Sequence, residues 1–81
     1  MDNVRSRIRC HCRRGLRELD LLFGRYLAGG FETLPDGRLA DFERLLEQPD
    51  LDILEWLTGK SAARDEELRA LCAEIRHDLG Y

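Results

Sequence analysis

The sequence predicts an all-α fold, a small single-domain bundle of about five short helices over residues 1–81. Apolar residues recur at the three- and four-residue intervals of an amphipathic helix. Glycine or proline separates these stretches, as at helix ends, and no segment shows the sustained apolar–polar alternation of a strand. A chain of this size buries only about 60% of its unfolded surface, so we expect a small core and no deep enzyme pocket.

The first two predicted helices run from Asn3 to Cys12 and, after a bend at Arg13–Gly15, on to about Ala28. Asn3 is a suitable N-cap, because its side-chain oxygen can accept a backbone N–H of the first turn. Gly29–Gly30 ends the second helix, since glycine tolerates a left-handed C-terminal cap. An ideal helical wheel places five residues of the second helix on its core-facing side: Leu16, Leu19, Phe23, Tyr26 and Leu27.

Three further helices follow a turn at Leu34–Gly37. Pro49 ends the third, because the residue before proline is pushed away from helical geometry. Asp50 caps the fourth helix, or Pro49 opens it, and Gly59 ends it. Ser61 can cap the last helix, which ends at Gly80. The apolar faces of the three helices are Leu39, Phe42, Leu45 and Leu46; Ile53, Leu54, Trp56 and Leu57; and Leu68, Leu71, Cys72, Ile75 and Leu79.

The net charge of −3 is unevenly distributed. Residues 1–25 carry seven arginines against three acids, whereas residues 26–81 carry six basic and thirteen acidic residues. Nucleic acid would be attracted to the basic end, but the acidic balance of the whole chain argues against a phosphate-binding protein. The arginine-rich start lacks the apolar run of a signal peptide, and no stretch approaches the roughly 20 apolar residues of a membrane span.

Three cysteines, an odd number without a secretory signal, indicate reduced thiols in the cytoplasm rather than a disulfide framework. Cys10-His11-Cys12 invites a metal interpretation, but zinc sites need four ligands and usually separate paired cysteines by two residues. We therefore expect no metal, with Cys12 and Cys72 as small core residues. Adjacent helical side chains point about 100° apart, so Cys10 and His11 do not form a nucleophile–base pair, and we expect no catalytic residues.

The side of the second helix opposite its core face carries Arg14, Glu18, Leu21 and Arg25. Two interpretations stay open from the residues alone. The first is a solvated helix face, in which Arg14 and Glu18 form a helix-supporting pair worth about 0.2–0.5 kcal/mol and Leu21 is a single exposed leucine. The second is a binding surface, since the acid-after-base order is the weaker orientation for supporting a helix.

The run Arg14–Asp20 resembles the RGxxE motif of the SdhE family, the FAD assembly factors of succinate dehydrogenase. The agreement continues in Phe42–Glu47, Asp50–Asp52 and Trp56–Leu57, so the resemblance covers about residues 7–57. Members of this family promote covalent attachment of FAD to the flavoprotein subunit of succinate dehydrogenase, and some act on the related subunit of fumarate reductase. The resemblance implies a monomeric, cytoplasmic, non-catalytic assembly factor that inserts into no membrane and binds no nucleic acid.

The resemblance also implies the site. Partner-binding residues would be Arg14, Gly15 and Glu18, with Arg13, Arg17, Leu21 and Arg25 as neighbours. Asp20 lies nearer the core face, so we expect it to fix the helix junction instead of touching a partner. No cofactor would be bound stably, because FAD would be handled on the partner flavoprotein.

The main alternative is an antitoxin-like or nucleic-acid-binding regulatory module, which the arginine-rich first helix favours. Steep salt-dependent DNA binding would distinguish this class from an assembly factor. The fourth helix carries an acidic cluster, Asp50, Asp52 and Glu55, which we interpret as a solvated edge.

Overall fold

The computed structural model describes residues 3–81, so Met1 and Asp2, which the predicted domain includes, lie outside the described residues. The helices are α1 (Val4–His11), α2 (Arg17–Ala28), α3 (Leu39–Leu46), α4 (Asp50–Thr58) and α5 (Glu66–Leu79), with 3₁₀ turns at Gly30–Thr33 and Asp36–Arg38. The described residues contain no strand, and the predicted all-α fold with five helices is confirmed.

The helix ends follow local sequence with three exceptions. At the start of α4 neither predicted alternative holds, because Pro49 is the N-cap and Asp50, the first helical residue, makes no capping bond. Asn3 caps α1, its side chain accepting the Arg5 N–H at 2.9 Å, and positive-φ glycines end α4 and α5 as predicted. The N-cap of α5, however, is Asp65, whose carboxylate accepts the Leu68 N–H at 3.0 Å. The predicted cap Ser61 lies too far upstream and instead donates its hydroxyl to Glu55. The Leu68 N–H and then the Arg44 guanidinium lower the pKa of the Asp65 carboxyl.

The end of α2 differs from the expected left-handed cap, because Gly29 has φ −130°. Glycine is needed at Gly30 for a different reason, close approach to α5. A Cβ on Gly30 would lie 2.7 Å from the Asp78 side chain and 2.8 Å from the Tyr26 ring. The bare backbone lets the Gly30 N–H donate to the Asp78 carboxylate at 3.2 Å. This contact holds the connection after α2 against the last helix.

Four aromatic rings form the centre of the core. Phe42 of α3 lies 5.9 Å from Phe23, 5.9 Å from Tyr26 and 5.6 Å from Phe31, between ring centroids. The Phe23 pair is tilted, the Tyr26 pair stacked and the Phe31 pair edge-on, and such pairs add roughly 0.5–1.5 kcal/mol each beyond their burial. Residues from all five helices pack around these rings, so a few large side chains connect most of the fold.

Most predicted core positions are buried, and the two ends of the predicted core stripe of α2 pack against the core without being fully buried. Leu16 and Leu27 are only partly buried, whereas Leu22, which the wheel omitted, is buried. Leu16 is the N-cap of α2, so it packs against the core from the junction before the helix and not from the helix face. Trp56 was expected in the core and packs half-buried against its edge.

Replacing Phe42 with alanine removes the ring that touches the other three. We expect Phe42→Ala to lower the free energy of unfolding by about 3–5 kcal/mol, because the transfer and cavity terms add. Urea denaturation followed by circular dichroism measures this loss. The control is Glu47→Ala at the exposed end of α3, which should shift stability by no more than about 0.5 kcal/mol. Equal effects of the two variants would contradict the central role of Phe42.

The prediction that Cys12 and Cys72 are small core residues is confirmed, since both are buried. Burial raises the pKa of the Cys12 thiol to about 12 and that of the Cys72 thiol to about 11, because the thiolate would lose its hydration. Cys10 is exposed. That all three are reduced and bind no metal stays a prediction.

The two buried thiols predict a loss of stability at alkaline pH. Above about pH 9 the unfolded chain releases these protons while the folded chain retains them, so stability falls as the pH rises. At pH 10 the loss should be about 1 kcal/mol per thiol relative to pH 8, measured by urea denaturation under reducing conditions. The double variant Cys12→Ala, Cys72→Ala should lose less between the two pH values. An equal loss would show that the thiols are not its source.

The longest helix, α5, has 14 residues. Among the described residues, no helix combines the length and apolar character needed to cross a bilayer.

Candidate functional site

The predicted bend between α1 and α2 is a tight turn organised by Asp20. Gly15 in this turn has φ +84°, a left-handed conformation that glycine adopts without steric cost. The Asp20 carboxylate, one turn into α2, accepts the Arg14 N–H at 2.7 Å and the Gly15 N–H at 3.2 Å. Both N–H groups would otherwise lack partners within a helix. The expectation that Asp20 fixes the junction is confirmed.

Arg14 does not lie on α2, because the helix begins only at Arg17. The helical wheel was therefore wrong to place Arg14 beside Glu18, and these two described residues form no ion pair with each other. Instead, Arg14 Nε donates to Asp50 Oδ1 of α4 at 2.8 Å. Its two terminal nitrogens donate to the carbonyl oxygens of His11 at 3.0 Å and Gln48 at 3.5 Å.

These three bonds, which we call the Arg14 clasp, join the α1–α2 turn to the α3–α4 turn. The Arg14 side chain is only 17% exposed, so little of its guanidinium faces solvent. Asp50 is half-buried in this ion pair, and its carboxylate makes no capping bond to α4. The predicted solvated acidic edge is thus wrong for Asp50. Asp52 and Glu55 are exposed, and Glu55 accepts the Ser61 hydroxyl.

Glu18 lies in the first turn of α2, exposed, one turn beyond Gly15. Within residues 3–81 its carboxylate makes no hydrogen bond and no ion pair. It borders a groove of about 390 Å³, the Glu18 groove, whose other walls come from α4, Lys60 and Tyr81. The lining includes Glu18, Leu51, Leu54, Glu55, Lys60 and Tyr81.

The wheel placed Glu18, Leu21 and Arg25 on one outward face, and all three are exposed. Arg25 donates to the Leu79 carbonyl at 3.0 Å, which fixes the end of α5 beside this face. Arg13 and Arg17 are exposed, and in the described chain their side chains make no bond. The seven predicted partner-binding residues therefore divide into one structural residue, Arg14, and six on the surface of the turn and of α2.

Sequence reasoning missed Leu51, Leu54 and Tyr81 as components of the site. A signal for the first two was present in α4, which carries apolar residues at five of nine positions. One helix face that contacts a core accounts for only three or four apolar residues in two turns. The excess could have indicated a second apolar face, but not what it adjoins.

The other sites considered in the sequence do not assemble in the described part of the chain. No group of three or more histidine, cysteine and acidic side chains there could hold a metal ion. A larger groove of about 740 Å³ lies between α1 and α3, away from the turn. Arg5 beside it is already bonded to the carbonyl oxygens of Phe31 and Leu34, at 3.0 Å and 2.6 Å.

Comparison with known proteins decides the family. The sequence model of the family described as "flavinator of succinate dehydrogenase" matches residues 6–79. The chain belongs to this family. It is 37% identical over 76 residues to the FAD assembly factor SdhE of Pectobacterium atrosepticum, covering 94% of this chain and 85% of that protein.

Other members of the family agree over similar lengths. Identity to the FAD assembly factor SdhE of Methylococcus capsulatus is 37% over 76 residues, 94% of this chain and 92% of the relative. Identity to that of Legionella pneumophila is 36% over 78 residues, 95% and 98% of the two chains. The sequence resemblance, noted for about residues 7–57, thus extends through α5, and the predicted family is confirmed.

The Arg14 clasp predicts a measurable coupling between two residues 36 positions apart. Arg14→Ala and Asp50→Ala should each lower the free energy of unfolding by about 1–3 kcal/mol, since each leaves a partly buried charge without its partner. Because the two variants break the same ion pair, their effects should be less than additive in a double-mutant cycle. Urea denaturation of the four proteins measures this coupling. Strict additivity would show that the ion pair does not couple the two turns.

Proposed function

We propose that this protein promotes covalent attachment of FAD to the flavoprotein subunit of succinate dehydrogenase by binding that subunit. Family membership over residues 6–79 supports the activity. The observation that carries the proposal for this chain is the Glu18 carboxylate, which has no partner within residues 3–81 and lies beside an apolar groove at the start of α2.

The factor acts by positioning and supplies no catalytic group. Holding reactants in a productive geometry can remove much of the entropic cost of reaching the transition state, because that entropy is already lost on binding. The bond-forming chemistry then belongs to the flavin and to the target subunit. In this proposal FAD stays on the partner, and the assembly factor binds no cofactor stably.

The residues of the turn and of α2 have different roles in the proposed contact. Glu18, Leu21 and Arg25 present side chains to the partner from one face of α2. Gly15 permits close approach, since nothing lies within 4 Å of where its Cβ would be. Arg13 and Arg17 flank this face. Arg14 contributes mainly through the Arg14 clasp, which sets the position of α4 relative to the α1–α2 turn.

The proposal includes a monomeric factor in the cytoplasm, and it extends to the flavoprotein subunit of fumarate reductase.

The alternative of an antitoxin-like or nucleic-acid-binding module receives no support from the charges of α1. Arg5 pairs with Asp36 and Arg7 with Glu43, both at 2.9 Å. Arg9 pairs with Glu32. These acids neutralise the helix that would have to bind phosphates.

Glu18→Ala tests the proposed surface. We expect a melting temperature close to that of the wild type, because exposed substitutions away from special features change stability by no more than about 0.5 kcal/mol. The variant should nevertheless lose most of its support of flavinylation. The measurement is in-gel flavin fluorescence of the succinate dehydrogenase large subunit in a strain that lacks the factor and carries the variant.

Glu66→Ala is the matched control, since Glu66 is also an exposed acid in a first helical turn and makes no side-chain bond in the described chain. It should restore full fluorescence. If Glu18→Ala unfolds the protein, Glu18 is structural. If it remains folded and restores fluorescence fully, Glu18 is not part of the working surface.

A further inference from the structure

The large exposed apolar side chains of the described residues gather around Glu18. These residues are Leu21, Leu51 and Tyr81, with 59%, 67% and 59% of their surfaces exposed. Leu51 and Tyr81 line the Glu18 groove, and Leu21 follows Glu18 by one helical turn, at neighbour distance on the same face. Single exposed leucines need no explanation, but three large apolar residues from three parts of the chain around one carboxylate form a patch.

The chemistry of the groove selects one kind of side chain. Leu51 and Leu54 provide an apolar wall, Tyr81 adds a ring, and the Glu18 carboxylate has no partner within residues 3–81. Lysine and arginine match this combination, since their methylene stems pack on apolar surface while the cationic head bonds a carboxylate. An aromatic ring also attracts such a head.

The charges along the groove agree with this selection. Two carboxylates, Glu18 and Glu55, face one ammonium group, Lys60, so the lining is net negative. Lys60 makes no ion pair within the described chain, and the Glu18 carboxylate therefore remains open to a cation from outside. An acidic partner segment would meet repulsion at both carboxylates.

We propose that the Glu18 groove receives a lysine or arginine side chain of the flavoprotein subunit, with apolar residues of the same partner segment packing on Leu21 and Leu51. This proposal rests on the proposed function and specifies what the partner must present. The contact has an apolar centre with the charge pair at its edge, the usual arrangement of protein interfaces.

Binding to the purified flavoprotein subunit, isolated before flavinylation, tests the proposal. Calorimetry in 0.15 M and 0.5 M NaCl compares wild type with Glu18→Gln and Leu51→Ser. The matched controls are Glu66→Gln and Ala40→Ser, both at exposed positions outside the groove. We expect Glu18→Gln to weaken binding at least about tenfold at the lower salt, with a smaller effect at 0.5 M, because salt screens the charge pair. Leu51→Ser should weaken it about fivefold at both, and the controls should bind like wild type.

A photo-crosslinker at position 51 then identifies the partner segment by mass spectrometry. The cross-linked peptide should contain a lysine or arginine. Reversing that charge in the flavoprotein should weaken binding to the wild-type factor at least about tenfold, and Glu18→Arg should restore it to within about threefold. Restoration by a charge swap cannot arise from a general loss of folding.

The proposal is overturned if Glu18→Gln and Leu51→Ser bind like wild type, if the cross-link falls on a peptide without a cationic residue or on a second copy of this chain, or if the charge swap fails. If these failures occur while the wild-type factor still restores flavin fluorescence, the proposed function stands without this contact. If the wild-type factor neither binds the flavoprotein nor restores fluorescence, both fall.

Discussion

The guanidinium of Arg14 joins two turns that are distant in sequence, and the geometry of the site depends on this contact. It bonds Asp50 at the start of α4 and reaches carbonyl oxygens on both turns. The Asp20 carboxylate holds the backbone of the first turn from the other side. A small domain has little core to position its surface, and here charge-assisted hydrogen bonds orient the start of α2 against α4.

The face of α2 that carries Glu18 makes no ion pair within the described residues. Many basic residues satisfy acids or carbonyl groups of the same chain: the α1 arginines pair with the 3₁₀ turns and α3, and Arg44 pairs with Asp65. Glu18 is left with no such partner in the described residues, next to apolar side chains that the core does not cover. An unpaired exposed carboxylate costs the free protein little, because water solvates it, and it remains available for a cation from a partner.

The aromatic cluster supports the site from within. Phe23 and Tyr26 belong to α2, the helix whose outer face carries Glu18 and Leu21. Their packing on Phe42 fixes the rotation of α2 about its axis, and Arg25 links the outer face to the end of α5. The inward stripe of α2 therefore determines which residues its outward stripe presents.

Short-range patterns in the sequence determined the helices, the cap at Asn3, the glycine ends of α4 and α5, and the role of Asp20. They also determined that Glu18, Leu21 and Arg25 face outward, since helical periodicity settles which residues share a face. The family motif pointed to the same stretch. Each of these inferences involves residues within a few turns of one another.

Only the tertiary structure decided that Arg14 bonds Asp50, that Leu16 is only partly buried, and that Leu51 and Tyr81 meet Glu18. The helical wheel failed for Arg14 because Gly15, with its positive φ, lies in the turn before α2, so the helix begins about one turn later than periodicity suggests. The other contacts join residues more than thirty positions apart, and their partners depend on how the helices pack. The sequence specifies which side chains are available for this surface. They lie next to one another only because the packed core brings α2, α4 and the end of α5 together.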